Sequence, residues 1–284
     1  MRESRASRTA EHNALFRALE TRRRGGLFHD PLAVAFLGPP LRAVSRLGRP
    51  ASAGIDRRWP GVRTSVVART RLIDDVVVER APSVDQVVLL GAGFDSRAYR
   101  LGPLAGLPVF EVDHPATQQR KRAALRRAGV SLGAVRFVPT DFNLRELDGA
   151  LAGAGHDPDR PALLLWEGVT NYLDPAAVDA GLRWCARAAP GSALVLTYVD
   201  RQVLDHPERY VGADRLQATL RRAGEALTFG MAPAAMGPYL EEVGLRREWD
   251  LGAADYRALA YGEEAAGRMR GHEFYRVALA RVPG

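Results

Sequence analysis

The chain has one cysteine, Cys185, and one lysine, Lys121, in 284 residues. A single thiol excludes an internal disulfide and any metal cluster built from cysteines. Cys185 lies in LRWCARAA, a helical pattern, and reads as a small core residue. Aromatic residues are sparse at 7%, and no basic stretch interleaves with them as in an RNA-binding surface. No run approaches the ~20 apolar residues that a membrane span needs. The opening segment MRESRASRTAEH lacks an apolar stretch, so no secretory signal is read there. A cytoplasmic location is the resulting expectation.

What the chain does have is arginine. Lysine and arginine total 40 against 33 acidic residues, a formal charge of +7, and all but one of the basic residues are arginines. They are spread along the chain, with short clusters at Arg22-Arg23-Arg24 and Arg126-Arg127. That pattern reads as a solvated basic surface, or in its functional version as a preference for anionic small molecules. The expected partner is a small-molecule acceptor, with neither nucleic acid nor membrane; the oligomeric state stays open. At 46% hydrophobic residues the chain can bury a substantial core.

The most informative stretch runs from Val87 to Asp113: VVLLGAGFDSRAYRLGPLAGLPVFEVD. An apolar run (Val87 to Leu90) breaks into Gly91-Ala92-Gly93, and a second run ends in Glu111-Val112-Asp113. A buried parallel strand reads as a continuous aliphatic run. The glycines allow a tight turn and close approach of a ligand. A carboxylate about twenty residues on, at the next strand's end, suits the two hydroxyls of a ribose. This is a nucleoside-cofactor site on an open α/β sheet.

Around it the chain alternates. Strands are predicted at 86–90, 108–112, 135–138, 162–166 and 193–199, with helices at 115–128, 143–153 and 175–189. Such alternation predicts a parallel, doubly wound sheet. A helix is also predicted over Val62–Ala81. Residues 1–60 read as a helical cap with a first helix from Thr9 to about Arg23, and 62–200 as the cofactor-binding core. Residues 201–243 read as a helical lid insertion broken by Pro207, Pro233 and Pro238, and 244–284 as final strands. The last strand, in 272–282, is expected antiparallel beside the one before it, after a short link.

A dinucleotide site wants a third glycine, where this chain has Ser96, and no pyrophosphate clamp is visible. Three features favour S-adenosylmethionine (SAM). Asp141 ends the third strand and can accept from an adenine amino group; a helix N-cap accounts for it equally. Glu167 follows LLLW, where a carboxylate is hard to bury and can meet the cofactor's ammonium. Arg69, on the helix before the first strand, can grip a carboxylate bidentately.

The runs ART-RLIDD, LLGAGFDSRAYRL, FEVDHPATQQRKR, TDF and EGVTNYL resemble the leucine carboxyl methyltransferase-like family of SAM-dependent methyltransferases, over roughly residues 10–282. The resemblance implies the seven-stranded Rossmann-like methyltransferase sheet with an N-terminal helical cap and a late helical insertion. It implies SAM as cofactor, with Arg69 on the methionine carboxylate and Gly91, Ala92 and Gly93 under the cofactor. Asp113 would hold the ribose, Asp141 and Phe142 the adenine, and Glu167 the amino end. Arg17, in ALFRALE, matches a cap residue reaching the cofactor. Many bacterial members resemble O-methyltransferases of polyketide and other secondary metabolism.

Methyl transfer is a displacement at a sulfonium methyl, so the protein must align the reactants and exclude water. A carboxylate needs no base; a phenol does. His114 reads as structural or as part of the cofactor's shell, and Tyr172 as a residue that orients substrate or as a core aromatic. No catalytic base is assigned. The leading expectation is an O-methyltransferase acting on a carboxylate or hydroxyl of a small metabolite. Carboxyl methylation of a protein C-terminus, a non-catalytic SAM-binding protein and, disfavoured by Ser96, an NAD-dependent oxidoreductase are the alternatives. Cap and insertion together are expected to form the acceptor pocket, lined by residues such as Phe16, Phe28, Tyr210, Phe229 and Met231.

Overall fold

A computed structural model describes residues 8–133, 135–140 and 144–284. Four helices come first: α1 (Arg8–Thr21), α2 (Pro39–Arg46), α3 (Arg49–Arg58) and α4 (Val62–Arg80). Then β1 (Gln86–Leu90), α5 (Arg97–Arg100), β2 (Val109–Asp113), α6 (Pro115–Arg127), β3 (Val135–Pro139), α7 (Leu144–Gly153), β4 (Ala162–Trp166), α8 (Pro175–Ala186) and β5 (Ala193–Val199) alternate. The chain ends with α9 (Gln202–Asp205), α10 (Ala213–Ala223), α11 (Pro233–Glu242), β6 (Arg246–Gly252), α12 (Ala253–Tyr261), α13 (Glu263–Gly267) and β7 (Tyr275–Arg281).

The strands form one seven-stranded sheet in the order β3-β2-β1-β4-β5-β7-β6. The first five are parallel, and β7 inserts antiparallel between β5 and β6. The continuous apolar runs explain the centre: every residue of β1, β2, β4 and β5 is buried. Side chains alternate between two faces. One face sets Val88, Leu90, Phe110, Leu164 and Trp166 against α7, α8 and α11; the other sets Val87, Leu89, Val109 and Leu165 against α4 and α12.

Several boundaries differ from the sequence reading. Between α1 and Trp59 lie α2 and α3, helices within the cap whose prolines stand in their first turns, where no helical N–H bond is lost. Pro238 lies inside α11 and does not break it; Met236, Gly237 and Leu240 on that helix are buried. The link before β7 is not short, for α12 and α13 fill it. Strands and helices of the alternating core fall within about two to three residues of the spans expected for them.

β1 and β4 are neighbours, and the chain leaves them toward opposite sides of the sheet. At such a switch point the loops diverge and open a crevice at the strands' carboxyl ends. The outer edge of the Trp166 ring, at the end of β4, packs against Gly181 of α8, where a methyl group would collide with Cη2. Gly181→Ala should therefore lower unfolding free energy by about 1–3 kcal/mol, the range for overpacking a dense core. Chemical denaturation reads this directly, and unchanged stability would mean that α8 shifts freely off β4.

Candidate active site

The carboxyl ends of β1, β2 and β4 open into a cavity of about 390 Å³. Its floor is the loop after β1. Gly91 and Gly93 have φ of 70° and 46°, the left-handed region that glycine enters without strain. The N–H groups of Gly91 and Ala92 both donate to the Val112 carbonyl, at 2.8 and 3.0 Å, which sews the turn to the end of β2.

Asp113 closes one end. Its carboxylate accepts from the Gly93 N–H at 2.5 Å and from the His114 N–H at 2.6 Å. Burial raises its pKa, and those two N–H groups only partly offset the effect. His114 caps α6, its Nδ1 accepting from the Ala116 N–H at 3.2 Å.

The other end is a compact ionic network. Arg69 Nε donates to Glu167 Oε1 at 2.8 Å, and Arg97 Nη1 donates to Glu167 Oε2 at 2.7 Å. Arg97 also bonds Asp95 at 2.5 Å and Asp74 at 2.7 Å, and Arg100 grips Asp74 through both terminal nitrogens at 2.7 Å. Glu167 follows β4, and Gly168 (φ 73°) turns the chain there, its N–H held by Thr197 Oγ1 at 2.7 Å. Burial opposes charge on Glu167, yet Arg97 and then Arg69 hold its pKa below the usual value. Asp95 behaves alike: burial is outweighed by Arg97, and its pKa falls to about 2. The terminal nitrogens of Arg69 make no hydrogen bond with the described residues, and Arg69 lines the cavity.

The cap supplies the remaining wall. Thr9, Asn13 and Arg17 of α1 recur every fourth residue and so share one helix face, which lines the cavity. The opposite side of α1 buries Ala14, Leu15, Ala18 and Leu19. Arg17 donates to the Phe94 carbonyl at 2.6 Å and to Asp30 at 2.8 Å. Ser96, where a dinucleotide site would have glycine, donates to the same Asp30 carboxylate at 2.7 Å, so this position anchors the cap.

Thus Arg17, Arg69, Gly91, Ala92, Gly93, Asp113, Glu167 and Tyr172 all meet around one cavity. Asp141 and Phe142 lie outside the described residues. None of the aromatic and apolar residues named for the acceptor pocket of cap and insertion lines this cavity. Phe16 and Phe28 pack in the apolar layer beneath the cap, Phe229 and Met231 join the sheet's core, and Tyr210 binds Asp200 at 3.2 Å. Among the described residues, 201–243 contributes no wall residue. It adjoins the site instead: Glu225 accepts from the Thr9 hydroxyl, and the Thr228 N–H donates to the Asn171 carbonyl at 2.9 Å.

The leucine carboxyl methyltransferase family profile matches residues 10–186. The chain belongs to the leucine carboxyl methyltransferase family. A relative from Frankia alni is 41% identical over 201 residues, covering 69% of this chain and 70% of its own. One from Streptomyces avermitilis is 41% identical over 209 residues, 72% of each chain. Both carry the provisional name of S-adenosyl-L-methionine-dependent methyltransferase. Two solved structures share the fold. A protein of Thermobifida fusca, titled provisionally a methyltransferase, has a TM-score of 0.61 at 18% identity, covering 96% of this chain and 94% of its own. A DUF574 family protein of Streptomyces avermitilis has a TM-score of 0.64 at 15% identity, covering 96% and 97%. This family member is a SAM-dependent methyltransferase, and SAM is its cofactor.

Sequence reasoning missed Arg97, Arg100, Asp74 and Asp95. The run DSRAYR offered a signal, since arginines three apart on a helix share a face. Asp95 has a depressed folded-state pKa, so its stabilisation is full above pH 4 and is lost as pH falls through about 2. That shift corresponds to about 2 kcal/mol. Asp95→Asn should flatten the acid limb of the stability curve by that amount while leaving Arg97 paired with Asp74 and Glu167. Unfolding free energies of both proteins between pH 5 and 2 check it; parallel curves would refute the assignment.

Proposed function

We propose that this methyltransferase moves its methyl group onto an oxygen of a small anionic metabolite, with a carboxylate as the favoured nucleophile. The observation that carries the reading is one crevice with two unlike recognition ends about a glycine floor: Asp113 at one, the Arg69–Glu167 pair at the other. The free edge of Arg69 suits the methionine carboxylate, and Glu167 lies where the ammonium would approach. Asp113, at the carboxyl end of β2, is a charged acceptor of the kind that suits ribose hydroxyls. Gly91, Ala92 and Gly93 line the cavity where the cofactor would lie. Arg17, tied to Phe94 and Asp30, braces that loop from the cap.

Bound there, SAM supplies an electrophilic methyl on a sulfonium. The chain's own residues then align an acceptor and keep water out. Asn13 and Tyr172 are neutral polar groups of the wall that lie toward the cap, where the acceptor would enter. Burial raises the Tyr172 pKa, so its phenol stays protonated and serves as a hydrogen-bond donor. The one histidine of the described wall, His114, spends its Nδ1 on the α6 cap. Donors of this kind suit an oxygen that arrives already ionised, as a carboxylate does near pH 7. The family profile, described as leucine carboxyl methyltransferase, supports the same nucleophile. A small metabolite is the expected acceptor, and secondary metabolism its expected setting.

Two experiments test this. Asp113→Ala should weaken binding of S-adenosylhomocysteine by about 2–4 kcal/mol, through loss of charge-assisted hydrogen bonds to the ribose. Isothermal titration measures it, and an unchanged dissociation constant would remove Asp113 from the ribose. Turnover with labelled SAM against a panel of carboxylic acids and phenols tests the acceptor. A carboxyl product is a methyl ester, which mild base hydrolyses to methanol; a phenolic product is a base-stable ether. Stable product alone would overturn the carboxylate reading.

A further inference from the structure

We infer that Tyr275 is a positioning residue for the cofactor, acting through Arg69. The inference rests on the reading that Arg69 takes the methionine carboxylate. Tyr275 begins β7, outside residues 10–186 that the family profile matches. Its ring lies under the Arg69 guanidinium, 4.7 Å from the ring centroid to Cζ.

The contact answers a physical problem. Arg69 is 3% exposed, so its guanidinium has shed most of its water. Such a charge needs compensation from fixed neighbours. Glu167 supplies some of it through Nε, but Glu167 is shared with Arg97. A second carboxylate would neutralise Arg69 and occupy the very donors that must remain free. An aromatic face stabilises the cation through its quadrupole and uses no N–H group. It also holds the guanidinium plane, which fixes where the two terminal nitrogens point.

Tyr275 is itself constrained. Its hydroxyl donates to Asn171 Oδ1 at 3.4 Å, and Asn171 is fully buried in the loop after β4. The His272 ring packs against it at 5.3 Å. His272 adopts φ 65°, a left-handed conformation uncommon outside glycine, beside the close approach of Gly271 to Pro60 and Gly61. The ring is thus fixed by groups from β4's loop and from the turn before β7.

The test measures binding of two ligands: S-adenosylhomocysteine and its decarboxylated analogue, which lacks the group that Arg69 would hold. Tyr275→Leu should weaken S-adenosylhomocysteine by about five- to thirty-fold, the range for a desolvated cation–π contact. It should leave the decarboxylated analogue's affinity near the parent's. Tyr275→Phe keeps the ring and should restore the affinity for S-adenosylhomocysteine. If the leucine variant does not fold, Tyr275→Met against Tyr275→Phe makes the same comparison. Equal losses for both ligands, or equal losses in the aromatic and aliphatic variants, would overturn the inference and leave Tyr275 as plain packing. Arg69→Leu, measured alongside, separates the two claims. If it discriminates between the ligands while Tyr275→Leu does not, the inference fails and the Arg69 reading stands. If neither variant discriminates, both fail.

Discussion

Arg97 binds Asp74 of α4, Asp95 of the glycine loop and Glu167 beyond β4, and through them three parts of the fold converge on one guanidinium. Arg69 and Arg100 complete a set of three arginines facing three carboxylates. Each of these charges would be costly to bury alone, and breaking one pair would strand its partner. Their mutual neutralisation lets a charged wall exist beside an apolar sheet. It also leaves the free edge of Arg69 as a cationic surface that the network does not consume. Exposed pairs elsewhere, such as Arg268 with Glu264, have no such leverage, because water screens them.

The same logic joins the cap to the core. Asp30 accepts from Arg17 on one side and Ser96 on the other, so a carboxylate in the cap links α1 to the glycine loop. Phe36 stacks on Phe94 at 5.1 Å and adds an apolar clamp beside it. Ser96 disfavours a dinucleotide site because it replaces a glycine; its positive role is structural. Once the hydroxyl takes part in holding the cap, the cap becomes a wall of the site.

Much of the central sheet was legible because burial on both faces forces continuous aliphatic runs, and those runs name their own strands. The glycine turn and Asp113 were legible because both follow from strand ends in a parallel sheet. The ionic network was not. Arg97 and Asp74 are 23 residues apart, and Arg97 and Glu167 are 70 apart. Sequence spacing carries no information about such pairs until the strand order is known. Prolines misled in a particular way. Pro233 and Pro238 read as breakers, yet Pro233 stands where α11 begins, a place that tolerates proline best, and Pro238 lies inside that helix without ending it. The residues named for the acceptor pocket missed the cavity for a related reason. Hydrophobic residues in a cap mark the face that packs inward, so the polar stripe Thr9, Asn13 and Arg17 was the better guide to the cavity.

Methyl transfer rewards alignment, and alignment requires that acceptor side and cofactor side be held in one frame. Here the frame can be traced atom by atom. Thr9 of α1 reaches Glu225 of the insertion. The insertion returns along the loop after β4, where the Thr228 hydroxyl donates to the Leu173 carbonyl at 2.8 Å and its N–H to Asn171. Asn171 in turn receives the Tyr275 hydroxyl, and Tyr275 underlies Arg69. The insertion therefore needs no wall residue to matter. By bracing the segment that carries Tyr172 and Asn171, it ties α1 and the loop after β4 to the strand that carries Tyr275. The arginine network is anchored separately, in α4, α5 and the end of β4.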